Sequence, residues 1–143
     1  MGAGVAGTAF AYEQGKLGRR VLLLERDLSQ PDRIIGELLQ PGGYMALKRL
    51  GLEHCVEDID AQKVFGYCMF KGGEEAKVGY PLDGMGKDVA GRSFHHGRFI
   101  QKLRQAVYAC PDVTVRQGIV KKLINGAIVF TSSCSFSLIK NSL

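Results

Sequence analysis

The spacing of apolar and polar positions divides the chain into helical and extended stretches. Gly4 to about Gly15 reads as a helix entered from a glycine turn, and Arg20 to Glu25 (Arg-Val-Leu-Leu-Leu-Glu) as a buried strand with a polar end. Together they predict the second half of a βαβ unit, with no strand ahead of the glycines, as if the sequence were cut at its front. A loop is expected from Asp27 to Gly36. Gly42-Gly43 then precedes Tyr44, Leu47 and Leu50 at helical spacing, with Gly51 placed to cap the helix. Val64 to Phe70 and a second run around Val78 to Leu82 flank Gly72-Gly73, the pattern of a hairpin. Phe99, Leu103, Ala106 and Val107 share one face of a helix from Arg98 to Ala109, which Pro111 stops. Val113, Val115 and Ile119 to Ile124 are expected as strands returning to the nucleotide-binding sheet. Beyond Leu123 serines and apolar residues dominate, and no orderly continuation of the fold is expected there.

Composition changes this picture little. The 143 residues are 45% hydrophobic and 23% charged, ordinary for a globular chain. The net charge of +5 is spread along the sequence. The clusters Lys16–Arg20 and Lys121–Lys122 are too short for a nucleic-acid-binding stripe, so no nucleic-acid partner is expected. The four cysteines, Cys55, Cys68, Cys110 and Cys134, form no C-x-x-C pair and suggest reduced thiols rather than a zinc site or redox dithiol. Ile124 to Ile139 is the most apolar stretch, but polar side chains interrupt it and it is too short to span a bilayer.

The chemistry begins at Gly2-Ala3-Gly4-Val5-Ala6-Gly7, a G-x-G-x-x-G run. Its glycines allow a tight turn, close approach of the backbone to a pyrophosphate and close packing of helix on strand. A phosphate would rest on the amides at the helix N-terminus. Glu25, closing the next strand, is placed to accept hydrogen bonds from ribose hydroxyls, and Arg26 could contact the adenine side. A solvated strand end is the alternative for Glu25. His95 and His96 are neighbours that point in different directions, so no metal site is expected and they read as packing or loop-anchoring residues. Ser93 has no G-x-S-x-G context for serine catalysis.

Longer blocks are more specific. Glu25-Arg26-Asp27-Leu28, Pro31-Asp32-Arg33-Ile34 and Gly36-Glu37-Leu38-Leu39-Gln40-Pro41-Gly42-Gly43-Tyr44 resemble the squalene epoxidase (squalene monooxygenase) family. So do Asp60-Ala61-Gln62, Gly66-Tyr67, Tyr80-Pro81-Leu82 and Gly91-Arg92-Ser93-Phe94-His95-His96-Gly97-Arg98-Phe99-Ile100. The resemblance implies an α/β fold: an incomplete Rossmann-like FAD-binding domain of the flavoprotein hydroxylase type, with part of a β-rich substrate-side segment. Residues 1–123 would form the partial FAD-binding and monooxygenase region, and residues 124–143 a divergent tail outside the family fold.

The resemblance also implies FAD contacts from Gly2, Gly4, Val5, Ala6, Gly7, Glu25, Arg26, Arg33, Leu38, Arg104 and Val120. Arg33 and Arg104 are long cations able to meet a pyrophosphate or hold the loop that covers it, and surface ion pairs are their alternative. Tyr67 matches a tyrosine near flavin and substrate, as against an aromatic packed in the core. The implied reaction is epoxidation of squalene to 2,3-oxidosqualene with O2. NADPH would supply electrons through a separate reductase. The implied location is the cytosolic face of the endoplasmic reticulum membrane, attached through regions absent here. The isolated chain is expected neither to retain FAD nor to epoxidise squalene. Another FAD-dependent hydroxylase, or a non-catalytic nucleotide-binding fragment, are the rival readings.

Overall fold

The computed structural model describes residues 2–34, 36–81, 84, 86, 89–124, 127–132 and 135–140. Leu82 and Cys134, named above, lie outside them. The chain divides into two units, one of residues 1–30 with 103–143 and one of residues 31–102.

In the first unit the helix α1 (Val5–Lys16) follows the glycine turn and leads to the strand β1 (Val21–Glu25). Five residues of β1 pair in parallel with β7 (Val113–Gln117), in the register Val21 with Val113 through Glu25 with Gln117. Parallel neighbours require a long crossover. Here it comprises the whole second unit and the helix α3 (His96–Tyr108), whose last residues belong to the first unit. Ala3, Ala11, Leu23, Val107, Cys110 and Val113 form the core under this pair, with Tyr12, Val21, Leu28 and Val115 packed around it. Gly15 of α1 faces Val113 of β7. A Cβ there would lie 2.6 Å from Val113 Cγ2, so the missing side chain is what lets helix and strand meet.

β8 (Ile119–Ile124) departs from expectation. It does not join the β1–β7 pair but runs antiparallel to β9 (Ala127–Ser132), which in turn pairs with β10 (Ser135–Lys140). The change of partner occurs at the buried Gly118, whose N–H makes a last 2.8 Å bond to the carbonyl of Glu25. Phe130 and Thr131 crowd that position from β9, and a Cβ on Gly118 would come within 2.7 Å of the Phe130 ring. The described residues of the serine-rich stretch, 127–132 and 135–140, form an antiparallel ladder with β8. Its β-branched and aromatic residues (Ile128, Val129, Phe130, Thr131) suit a strand, and Phe130 is fully buried.

The second unit holds β2 (Leu38–Leu39), α2 (Pro41–Leu50), a short 3-10 turn (Glu53–Val56), β3 (Gln62–Val64), β4 (Gly66–Lys71), β5 (Glu74–Gly79) and β6 (Gly91–Ser93). α2 begins one residue before the expected glycines, because Pro41 occupies the first helical position, where a missing N–H is harmless. It ends as predicted at Gly51, in the left-handed conformation at φ 74°. The expected single strand from Val64 to Phe70 is two strands with different partners. β3 pairs with β6, and β4 with β5 across the Gly72-Gly73 turn. The second hairpin strand starts at Glu74 rather than near Val78, since the turn is only two residues long, and it ends before Pro81, which has no N–H to donate. Among the described residues no helix is long and apolar enough to cross a membrane.

Candidate nucleotide-binding site

In the first unit the glycine turn is fastened to the end of β1 at two successive amides. The N–H of Gly2 donates to the carbonyl of Leu24 at 2.7 Å, and the N–H of Ala3 to Glu25 Oε2 at 2.6 Å. Gly2 takes a positive φ of 84°, open to glycine without strain. Gly7 faces this turn so closely that a Cβ would fall 1.8 Å from the carbonyl oxygen of Gly2. Nothing lies within 4 Å of the corresponding point on Gly4. One glycine thus closes the turn from inside, and another leaves its outer side bare.

α1 has no side-chain cap and no acidic residue in its first turn, and Gly4, Val5 and Ala6 are exposed. Its first amides therefore face outward with the positive end of the helix dipole behind them, a setting that favours an anion. Inside, Thr8 is fully buried and its Oγ1 donates to the carbonyl of Gly4 at 2.7 Å, which fixes the first turn of the helix.

Glu25 stands beside this opening. Besides the Ala3 amide, its carboxylate accepts the N–H of Asp27 at 3.2 Å through Oε1. Asp27 in turn accepts the N–H of Ser29 at 2.9 Å. Its carboxyl is held below the ordinary range by the hydrogen bonds from Ser29, side chain and then backbone, with Arg104 and Arg26 adding attraction. Arg104 is buried at 3% exposure. Its Nε donates to the carbonyl of Ala3 at 3.0 Å, Nη1 to that of Ser29 at 2.9 Å and Nη2 to that of Asp27 at 3.2 Å.

Gly2, Gly4, Val5, Ala6, Gly7, Glu25 and Arg104 are thus brought together around one turn. Arg26 is exposed just beyond β1, and Val120 is half-buried opposite Phe130 in the β8–β9 ladder. Arg33, Leu38 and Tyr67 belong to the second unit. Arg33 is exposed, and Leu38 is exposed on β2. Tyr67, on β4, accepts a hydrogen bond at its hydroxyl from Gln40 Nε2 and meets the Tyr80 ring edge-on at 5.3 Å. The neighbouring Tyr67 hydroxyl, then burial, raises the Tyr80 hydroxyl above its ordinary pKa. His95 anchors the start of α3, its carbonyl accepting the N–H groups of Arg98 and Phe99 at 3.1 and 3.2 Å. No cluster of three metal-ligating side chains occurs among the described residues.

Sequence reasoning passed over Gln40, Asp27 and Ser29. The Asp27-x-Ser29 spacing is an Asx-turn signal and could have been read. The pairing of Gln40 with Tyr67 joins positions far apart in sequence and had no local signature.

No family model matches the chain. Among solved structures it resembles p-nitrophenol 4-monooxygenase PnpA from Pseudomonas putida, with a TM-score of 0.79 at 19% identity over 96% of this chain and 36% of that one. A flavoprotein/dehydrogenase from Cytophaga hutchinsonii gives 0.80 at 24% identity over 96% of this chain and 35% of that one. Both are likenesses of fold. In sequence the chain is 58% identical over 130 residues to Squalene epoxidase 3 of Arabidopsis thaliana, covering 90% of this chain and 25% of the relative. It is 56% identical over 124 residues to Squalene monooxygenase SE2 of Panax ginseng, covering 87% of this chain and 23% of the relative. With the α/β fold and glycine turn in place, the chain is similar over about nine-tenths of its own length to these squalene epoxidases and spans about a quarter of the length of the curated relatives it matches.

Proposed function

We propose that this segment holds the adenosine diphosphate half of FAD in a monooxygenase that epoxidises squalene to 2,3-oxidosqualene with O2. The observation that carries the reading is the uncapped N-terminus of α1, bared by Gly4 and tied through Ala3 to the Glu25 carboxylate. Those groups suit the cofactor. The pyrophosphate would lie against the amides of Gly4, Val5, Ala6 and Gly7, and Glu25 retains lone pairs for ribose hydroxyls. Arg26, Arg33, Leu38, Arg104 and Val120 are assigned to the same cofactor by resemblance, and Tyr67 to positioning of flavin or substrate. Bound FAD would supply the oxygen-transfer chemistry, and the chain's own residues bind and orient it.

Residues 1–123 are assigned to the FAD-binding and monooxygenase region and 124–143 to a divergent tail. Electrons would come from NADPH through a separate reductase, and membrane attachment at the cytosolic face of the endoplasmic reticulum would come from other parts of the protein.

A chimera tests this reading. The matching segment of Squalene epoxidase 3 is replaced by this chain, and the purified protein is assayed for bound flavin and, with NADPH and a reductase, for oxidosqualene. Stoichiometric flavin and product are expected. A folded chimera without flavin would refute the cofactor assignment, and one with flavin but no product would refute the substrate.

A further inference from the structure

We propose that the open edge of β5 pairs with the same edge of a second copy of this chain, joining two hairpins into one four-stranded antiparallel sheet. β4 and β5 form a sheet of their own, and among the described residues neither strand has a further neighbour. Every residue from Tyr67 to Gly79 is exposed. A lone hairpin is marginally stable in water, and further strands are what steady it. One face is apolar: Tyr67 stands beside Val78 and Met69 beside Ala76, with Tyr67, Met69 and Val78 between 43% and 56% exposed.

The backbone decides which edge groups are free. The N–H of Tyr80 donates to the carbonyl of Phe65 at 2.8 Å, and the two-residue turn Gly72-Gly73 sets Lys71 opposite Glu74. Because these groups alternate along an antiparallel strand, Glu74, Ala76 and Val78 turn their N–H and C=O toward β4. Glu75 and Lys77 turn theirs to the open side. A two-fold axis at Ala76 then sets Glu75 opposite Lys77 of the second copy and Lys77 opposite its Glu75. Each of these pairs exchanges two backbone hydrogen bonds.

The side chains select this register. Glu75 and Lys77 lie on the face opposite Met69 and Val78, and within one chain Lys77 Nζ stands 2.8 Å from Glu75 Oε1. Pairing about Ala76 arranges two carboxylates and two ammonium groups in alternation. Parallel pairing would set Glu75 on Glu75 and Lys77 on Lys77, and like charges directly opposite are destabilising. Charged residues on an edge discourage most strands. Alternating signs make the antiparallel copy the exception, and the apolar faces of the two hairpins become continuous.

The test uses the 143-residue chain with Glu75→Lys and Lys77→Glu, each confirmed as folded by circular dichroism. Sedimentation equilibrium over rising concentration gives the mass, and hydrogen exchange the protection of single amides. The unaltered chain should approach twice its 15.6 kDa, with the Glu75 and Lys77 amides gaining protection and those of Ala76 and Val78 unchanged. Each variant alone should associate about tenfold more weakly or worse, since two like-charge contacts replace two opposite ones. An equimolar mixture of the two variants should associate at least as tightly as the unaltered chain, because one edge then carries two carboxylates and the other two ammonium groups.

A chain that stays monomeric throughout would overturn the proposal and leave this edge to other parts of the longer relatives, of which the chain spans about a quarter. Dimers unmoved by either variant, or a mixture no tighter than its components, would place association elsewhere and overturn it equally. None of these results bears on the nucleotide site, which belongs to the first unit.

Discussion

Gly7→Ala is the sharpest perturbation of the glycine turn. The added Cβ would stand 1.8 Å from the Gly2 carbonyl oxygen and 3.0 Å from its carbon, with Leu23 Cδ1 at 3.7 Å on another side. The first distance is about 1.6 Å short of ordinary van der Waals contact, and the obstructing atom is backbone. Relief requires α1 to move away from the turn. That motion strains the bonds from Gly2 to Leu24, from Ala3 to Glu25 and from Arg104 to Ala3. The first is a neutral bond contributing about 1 kcal/mol, and the other two involve a charged partner at roughly 1.5–3 kcal/mol each. Partial loss of the three outweighs the gain of about 1 kcal/mol that alanine brings to a helix.

The expected net destabilisation is about 3 kcal/mol, or a fall in Tm of about 10 °C for a chain of this size. Gly4→Ala is the control. Its backbone is extended, with φ −87° and ψ −169°, and the Cβ meets nothing, so stability should stay within about 0.5 kcal/mol. Thermal and urea unfolding followed by circular dichroism measure both variants. Gly7→Ala as stable as the unaltered chain would show that the turn is not packed against α1 as described.

Three further outcomes are expected. Burial pushes the Cys55 thiol up from 9.0 to about 11, with Lys102 opposing and Glu53 adding to the rise. The unfolded chain therefore loses this proton first, and stability present below pH 9 falls as the pH climbs towards 11, by roughly 2–3 kcal/mol. Urea titrations at about pH 8 and about pH 10 should show about half of that drop, and Cys55→Ala should lessen it; equal slopes with and without the thiol would rule out this source. Arg92 is buried, donates to the carbonyls of Ala90 and Gly91 at 3.0 and 3.1 Å, and lies 4.4 Å from the centre of the Tyr44 ring. Arg92→Leu should cost about 3 kcal/mol in chemical unfolding, and a loss under 1 kcal/mol would count against the contact with Tyr44. Tyr67→Phe removes the acceptor for Gln40 on an exposed strand, so it should change stability by less than about 1 kcal/mol while lowering turnover in the chimera. Unchanged turnover would remove Tyr67 from the proposed active site.

The local signals in the sequence were largely sufficient for the helices. Glycine at both ends marked α1 and α2, and the apolar face of α3 showed in Phe99, Leu103 and Val107, all buried. Strand partners were less legible, because a strand records which residues favour extension and not which ladder it joins. Thus Ile119–Ile124 was correctly extended but paired with β9, and Val64–Phe70 was split between two partners. At the candidate site the glycine fingerprint and Glu25 could be read directly, since both are local to one turn and one strand end. The carbonyl acceptors of Arg104 could not, because they depend on backbone atoms distant in sequence.

The glycine turn and Glu25 are most directly tested by titrating ADP into the 15N-labelled chain and its Glu25→Ala variant. Shifts concentrated at the amides of Gly4, Val5, Ala6 and Gly7, with affinity weakened about tenfold or more by Glu25→Ala, are expected. Shifts scattered over both units, or none at millimolar ADP, would contradict the assignment.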